Sequence, residues 1–452
     1  MERYHSYVSE AGYIRYMAKV EVALAEALAQ RGLCSTRAVE RIRSACHEVT
    51  PEEVWDEEQQ RTQHNVRALV NCIRNHLGDD DEARRVVHLF ATSADIMDTA
   101  NAVRLKELCT GELFRDLSEL MNRLIEMARE HAATRQIGRT HGKFAEPITF
   151  GFALALYVER LGTRIEAILR AAKRLRGKMS GAVGAYNAFC LAGDDDPFLF
   201  EQHLMRSLGL ACPDSHISSQ IVIPEPIQDL AHATISAFTV LANLADDMRH
   251  LHRSEIGEVQ EIDLYRFVGS STMPHKTNPK NFENVKSLWK AFVPRMTTVY
   301  LDGISEHQRD LTNSASSRFA IELFTAFAYA TNRLTDALRK ITVHREQMER
   351  NLGEAGQSVL AEPLYVLLAL RKKDPDAYDR VRELVRASES NRRSLAEEVR
   401  ATPDLVGFLR DLPDDQRGVI ENPADYIGAC EGRTQQICDF WEQTLPTLPM
   451  IA

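Results

Sequence analysis

The chain has 452 residues, 44% apolar and 27% charged, a balance that excludes intrinsic disorder and allows two to four folding units at roughly 100–200 residues each. Lys and Arg total 55 against 65 Asp and Glu, a net charge of −10 with no long basic block; this excludes a nucleic-acid or anionic-membrane surface, although a few local arginines suffice for a small anionic substrate. The longest uncharged stretch, 230–245, has 16 residues of mixed polarity, too few to span a bilayer, and MERYHSYVSE lacks the layout of a signal peptide, so a soluble cytoplasmic protein is expected.

Residues 1–95 read as short helices separated by acidic turns such as GDDDE at 78–82. From Leu105 the apolar positions run Leu108, Leu113, Leu117, Leu120, Leu124, Met127 and Ala128, mostly the three- and four-residue steps of one helix face. The same rhythm runs from Leu154 to Leu175, from Leu230 to Leu251, and from Val285 to Tyr300, where Pro294 predicts a kink. No run of alternating polarity competes with these helices. Loops are expected over 193–197, 213–226 and 268–279. Beyond residue 345 the pattern resets into shorter helices with breakers at Pro375, Pro403 and Pro413. The expectation is an all-α fold in three regions: an N-terminal helical domain over 1–95, a central long-helix bundle over 96–345 and a C-terminal helical domain over 346–452.

The eight cysteines include no C-x-x-C pair, and H-E-x-x-H, G-x-x-x-x-G-K-[ST] and G-x-G-x-x-G do not occur. Reduced core cysteines are expected, with neither a metal nor an organic cofactor. His250 and His252, two apart in a helical pattern, point to different faces and make a poor ligand pair.

One segment concentrates chemistry: VGSSTMPHKTNPKNFEN, residues 268–284. It offers a hydroxyl, an ammonium and an amide within a short span, which suits gripping a carboxylate beside a proton-transfer site. A plain exposed loop is the other reading of that composition. Residues 269–278 resemble the G-S-S-x-M-P-x-K-x-N loop of the fumarase/aspartase superfamily, and further segments in chain order are similar to its adenylosuccinate lyase family. These are Arg3-Tyr4, 62–66 (TQHNV), 88–98 (HLFATSADIMD), 138–147 (GRTHGKFAEP), 178–186 (KMSGAVGAY), 218–220 (SSQ), and Arg309-Asp310 with Ser314 and Arg318. The last hundred or so residues match the family only in helical character.

The resemblance implies a role for each matched residue. Ser270 is the general base that takes a proton from the carbon beside a carboxylate. Because a serine hydroxyl is a poor base in water, the loop must stabilise its alkoxide through backbone N–H groups or Lys276. His141 is the general acid for the leaving nitrogen, and imidazole titrates in a suitable range. Lys276, Asn278, Thr92 and Ser93 hold substrate carboxylate, with Ser271 beside them. Thr92 and Ser93 also fit a helix N-cap, a role compatible with anion binding. His64, Asn65, His88 and Gln220 lie near the substrate, with a packed or surface histidine as the alternative for the two imidazoles. Arg3, Tyr4, Arg309, Ser314 and Arg318 contact a nucleotide phosphate, for which the planar guanidinium fork is suited. Surface ion pairing is the alternative for the arginines.

The chain departs from the family pattern in several places. Gln63 and Asn65 replace an Arg and an Asp, Phe90-Ala91 replaces Gly-Leu, and Gln308 replaces a Glu. After Gln220 the chain reads Ile-Val-Ile-Pro-Glu instead of T-L-Q-R-D, and the loop after His141 has Lys143 where the family often shows a neutral or imidazole side chain. The changes around His64 and after Gln220 bear on nucleotide recognition more than on elimination.

The resulting expectation is a lyase that releases fumarate by β-elimination, converting adenylosuccinate to AMP. The substrate's own carboxylate serves as electron sink. The resemblance further implies a homotetramer in which each active site draws on three subunits. Same-fold alternatives are a lyase for argininosuccinate or another N-substituted succinate, or a carboxymuconate cycloisomerase. A helical scaffold without activity is the non-enzyme alternative, against which the intact 269–278 loop and His141 argue.

Overall fold

The computed structural model describes residues 2–193, 196–261, 273 and 276–451. The principal helices are α1 (Glu10–Gln30), α2 (Ser93–Thr110), α3 (Glu112–Glu130), α4 (Phe150–Lys173), α5 (Glu225–Leu251), α6 (Lys280–Phe292), α7 (Ala320–Arg339) and α8 (Cys430–Thr444). Among the described residues the fold is all-α apart from two small sheets. Helices α3 to α7 close a five-membered ring, each packing on the next and α7 returning to α3. Leu113, Leu117, Leu120 and Leu124 of α3 and Leu154, Val158, Leu161, Ile165 and Leu169 of α4 are buried along the seam, as their spacing predicts. No helix among the described residues is long and apolar enough to cross a membrane.

Cross-links between helices fix their directions. Arg164 donates to Ser236 (3.4 Å) and Arg160 to Asn243 (2.7 Å), while Tyr157 bonds Asp247. Numbers rise along α4 as they fall along α5, so the two are antiparallel. Lys286 on Asp246 and Trp289 Nε1 on Thr239 (3.0 Å) make α6 antiparallel to α5 as well. One end of the ring therefore carries the start of α4, the end of α5 and the start of α6. The other carries the end of α4 and the start of α5. With 24 residues in α4, the ends lie about 36 Å apart at 1.5 Å per residue.

Four features differ from the periodicity reading or extend it. The run from Leu105 to Ala128 is two helices broken at Gly111, where a Cβ would come within 2.8 Å of the Glu107 carbonyl. The apolar spacing continues across the break and conceals it. The Val285–Tyr300 run is also cut in two, with a separate helix (Arg295–Leu301) starting after Pro294, which has no N–H to continue the ladder. A hairpin joins α3 to α4: β1 (Arg135–Thr140) pairs antiparallel with β2 (Lys143–Thr149), with a register shift between Ile137 and Arg139. That irregularity breaks the period-2 alternation by which a strand is recognised in sequence. Two short strands, β3 (Val259–Glu261) and β4 (Ile341–Val343), form the second sheet.

Residues from the N-terminal helices share one apolar core with the ring, whereas Leu364, Leu368, Val381, Leu395, Val399, Leu405 and Ile420 enclose a second, smaller one. The chain then returns to the ring through α8. Trp441 is buried against α4 and donates Nε1–H to Glu159 (2.7 Å), while Arg129 binds Asp439 (2.6 Å) and Glu442 (2.9 Å). Gly162 makes room for the indole, since a Cβ there would sit 2.4 Å from the Trp441 ring. Gly162→Ala is therefore expected to destabilise the protein by about 1–3 kcal/mol through overpacking. Gly162→Ala/Trp441→Leu should recover part of the loss, read as midpoints of thermal unfolding. An unchanged midpoint in the single variant would mean that α8 is not seated on α4.

Candidate functional site

At the end of the ring where α4 finishes, Thr92 stands as N-cap of α2 and its N–H donates to Asp95 Oδ2 (2.8 Å). Asp95 also accepts the Ser180 N–H (3.1 Å) on Oδ1 and the Gly181 N–H (3.2 Å) on Oδ2, and it pairs with the Lys178 ammonium. Both charged side chains are fully buried. The ammonium further donates to the Gly181 carbonyl (3.2 Å), and Thr99 Oγ1 both accepts from the Lys178 N–H and donates to its carbonyl, each at 2.9 Å. The segment carrying S-S-Q joins the same assembly. Ser218 and Ser180 share a hydroxyl hydrogen bond (2.7 Å), and the Val222 N–H donates to Asp98 (3.0 Å). Gly184 lies so flat against this segment that a Cβ would be 2.1 Å from the Ser218 carbonyl. Burial pushes the Asp98 carboxyl pKa up, opposed by the Val222 N–H and the nearby Lys178 and Arg309 charges.

His64 and Ser93 meet here, with His64 Nε2 3.2 Å from Ser93 Oγ. His64 caps the helix Asn65–Leu77, its Nδ1 accepting from the Arg67 N–H (3.4 Å). A neutral ring that accepts at Nδ1 carries its proton on Nε2 and donates to the serine. Asn65 caps its neighbour, the Val66 N–H donating to Oδ1 (2.8 Å). His88 is held by buried Glu21, which accepts its backbone N–H (3.1 Å) and contacts ring Nδ1 (2.7 Å). Its φ is 64°, and that of Phe90 is 68°. Phe90 thus occupies a left-handed position where the family pattern has glycine, and its ring packs on Phe189 with centroids 4.9 Å apart.

The residues matched to phosphate binding lie at this end too. Arg3 pairs with Asp116 and with Glu112 (3.1 Å), and buried Tyr4 donates to Asp116 (2.6 Å). The Tyr4 hydroxyl pKa is driven well up by burial and by that bond. Arg309 donates to Asn313 (2.9 Å), while Ser314 and Arg318 are exposed just ahead of α7.

At the opposite end, His141 sits in the β1–β2 turn with φ of 53° and is exposed. The hairpin is fastened by buried Glu258, which accepts from Arg139 (2.7 Å), Gln136 (2.6 Å) and Asn351 (2.7 Å). Lys276 and Asn278 line a cleft of about 780 Å³ beside His252 and His344. Burial holds the His252 pKa below the usual imidazole range. Ser270 and Ser271 lie outside the described residues.

The predicted site residues therefore fall into two groups. Arg3, Tyr4, His64, Asn65, His88, Thr92, Ser93, Gln220, Arg309, Ser314 and Arg318 are at one end of α4, and His141, Lys276 and Asn278 are at the other. Asp95, Lys178 and Glu258 were not among the residues singled out from sequence. The first two stand inside matched motifs, but they are 83 positions apart and nothing in the sequence pairs them.

A family model described as lyase matches residues 1–291, and one described as adenylosuccinate lyase C-terminal matches 305–405. Curated relatives include the adenylosuccinate lyases of Pyrococcus abyssi (33% identical over 84% of this chain and 82% of that one), Archaeoglobus fulgidus (30%; 97% and 96%) and Bacillus subtilis (34%; 71% and 72%). A solved 3-carboxy-cis,cis-muconate lactonizing enzyme from Pseudomonas putida superposes with a TM-score of 0.82 at 24% identity, covering 99% of this chain and 100% of that one. A fumarate lyase from Mesorhizobium does so at 0.82 and 22%, covering 97% of each. At such identities the likeness defines the fold alone. Fold, matched motifs and family models together define an enzyme of the fumarase/aspartase superfamily. Within it, the chain belongs to the adenylosuccinate lyase family, which are carbon–nitrogen lyases.

The left-handed Phe90 gives a measurable backbone effect. Phe90→Ala and Phe90→Gly lose the same ring contacts, yet only glycine adopts φ of 68° without penalty. The glycine variant is expected to be more stable than the alanine one by about 1–2 kcal/mol, measured by denaturant unfolding. Equal stability would contradict the left-handed assignment.

Proposed function

We propose that the protein cleaves adenylosuccinate to AMP and fumarate in active sites assembled from several copies of the chain. The observation that carries the second part is the separation of the two residue groups by the length of α4. A site that uses Thr92 and Ser93 together with His141 must take them from different copies. Exposed apolar side chains supply surfaces for such an assembly: Phe144 on the hairpin, Phe152 and Leu156 on α4, and Leu301 and Ile304 beyond α6. A homotetramer satisfies this with closed symmetry. Support for the substrate comes from the three curated relatives above, each an adenylosuccinate lyase. The cytoplasm is the compartment this reading assigns, in keeping with eight unbridged cysteines.

In the proposed reaction, Ser270 removes a proton from the succinyl carbon next to a carboxylate. The electron pair delocalises into that carboxylate, held by Lys276, Asn278 and the Thr92–Ser93 turn, with Ser271 alongside. Collapse forms the carbon–carbon double bond of fumarate and expels the amino nitrogen of AMP, which takes its proton from His141. His64, in contact with Ser93, and the nearby Asn65, His88 and Gln220 line the substrate. Arg3, Ser314, Arg309 and Arg318 serve the phosphate, while Tyr4, buried with its hydroxyl on Asp116, braces that segment from behind. Because Arg3 is already paired with Asp116 and Glu112, Arg309 and Arg318 carry most of that task.

Ser270→Ala and His141→Gln should each lower turnover by at least ~100-fold. The His141→Gln protein mixed with a Thr92→Val/Ser93→Ala protein, the changes standing at opposite ends of α4, should regain some activity under conditions that exchange subunits, followed by absorbance as fumarate forms. No recovery after verified exchange would place His141 and the Thr92–Ser93 turn of one site in one copy. Arg318→Ala should raise the KM for adenylosuccinate by roughly one to two decades, the worth of a charge-assisted hydrogen bond. If AMP at millimolar concentration neither binds the wild-type protein nor inhibits it, the nucleotide assignment fails.

A further inference from the structure

The Asp95–Lys178 pair takes no part in the steps above, yet it lies directly beneath the turn assigned to substrate carboxylate. Asp95 stands in the first turn of α2, where its charge competes with any anion approaching Thr92 and Ser93. Asp95 is entirely shielded from solvent, so water screens that repulsion little. Among the described residues, Lys178 alone of the basic side chains is bonded to it, and the ammonium is equally buried. Stabilisation is a weak explanation for such a pair, because two buried charges gain little over well-packed apolar residues.

We propose that Lys178 is a positioning residue whose charge cancels that of Asp95, leaving the start of α2 attractive to a substrate carboxylate. Asp95 in turn fastens Thr92 to Ser180 and Gly181, so that the turn and the 178–184 segment form one rigid cradle. The proposal rests on Thr92 and Ser93 being carboxylate contacts. It deepens that reading by naming what keeps the contacts receptive.

Charge cancellation has a signature that a scaffold role does not share: the two single variants move anion affinity in opposite directions. Lys178→Met leaves Asp95 uncompensated and should weaken fumarate binding at least tenfold, with a parallel rise in KM and a smaller change in kcat. Asp95→Asn leaves the ammonium uncompensated and should tighten fumarate binding. The neutral pair Asp95→Asn/Lys178→Met should return the affinity to within about threefold of wild type. Fumarate affinity is measured by calorimetry in the presence of AMP, on protein whose folding and assembly are verified. If Lys178→Met does not fold, Asp95→Asn alone decides, since tighter binding is not the outcome of a damaged scaffold. Weaker binding in both singles overturns the proposal. So does unaltered binding in both, or failure of both to fold while the neutral pair binds like wild type. Thr92→Val is the separate control, because unchanged fumarate affinity there would remove the carboxylate reading itself.

Discussion

An α-helix of 24 residues cannot be shortened, and the length of α4 decides how the candidate site residues are distributed in this protein. It sets the hairpin bearing His141 and the cleft bearing Lys276 at one end of the ring, and the Thr92–Ser93 turn at the other. No rotamer or loop movement closes about 36 Å. In the proposed reaction, residues from the two ends come together only through assembly. On that proposal the bundle is a spacer that presents half a site at each end.

Each end is organised around a buried carboxylate. Asp95 gathers the N–H groups of Thr92, Ser180 and Gly181 with the Lys178 ammonium, and so ties the first turn of α2 to two loops. Glu258 accepts from Arg139, Gln136 and Asn351, fixing the His141 hairpin to the segment after α5 and to the helix Arg345–Ala355. Satisfied networks of this kind rigidify what they join. Rigidity is what half-sites require if they are to meet partners with sub-ångström precision. The same logic accounts for Glu21 on His88 and for the capping contacts of His64.

Much of this was legible in sequence, and the limits have physical causes. Long periodic runs announced the bundle because one helix face must be apolar to be buried. The break at Gly111 escaped because apolar spacing continues through it. The hairpin escaped because a register shift at Gly138 spoils the alternation of β1, and because its exposed turn residues read as loop. Motif matching supplied the candidate residues, but it did not single out Asp95, Lys178 or Glu258, and it could not show that the candidates within the described residues divide between two ends. That division belongs to topology. Asp95 and Lys178 were visible as letters within matched segments, while their pairing depends on α2 and the 178–184 segment meeting in space. Phe90 marks a converse case: a departure from the family's glycine is plain in sequence, and its left-handed backbone is plain only in the structure.

The central claim is that one reaction is performed by side chains from different copies of the chain. A cryo-electron microscopy structure of the protein with AMP and fumarate bound tests it directly. The account predicts a multi-copy assembly in which the fumarate carboxylate contacts Thr92 and Ser93 of one copy while His141 of another approaches the AMP amino nitrogen. A particle containing a single chain, or a fumarate bound wholly within one end of one chain, would contradict it.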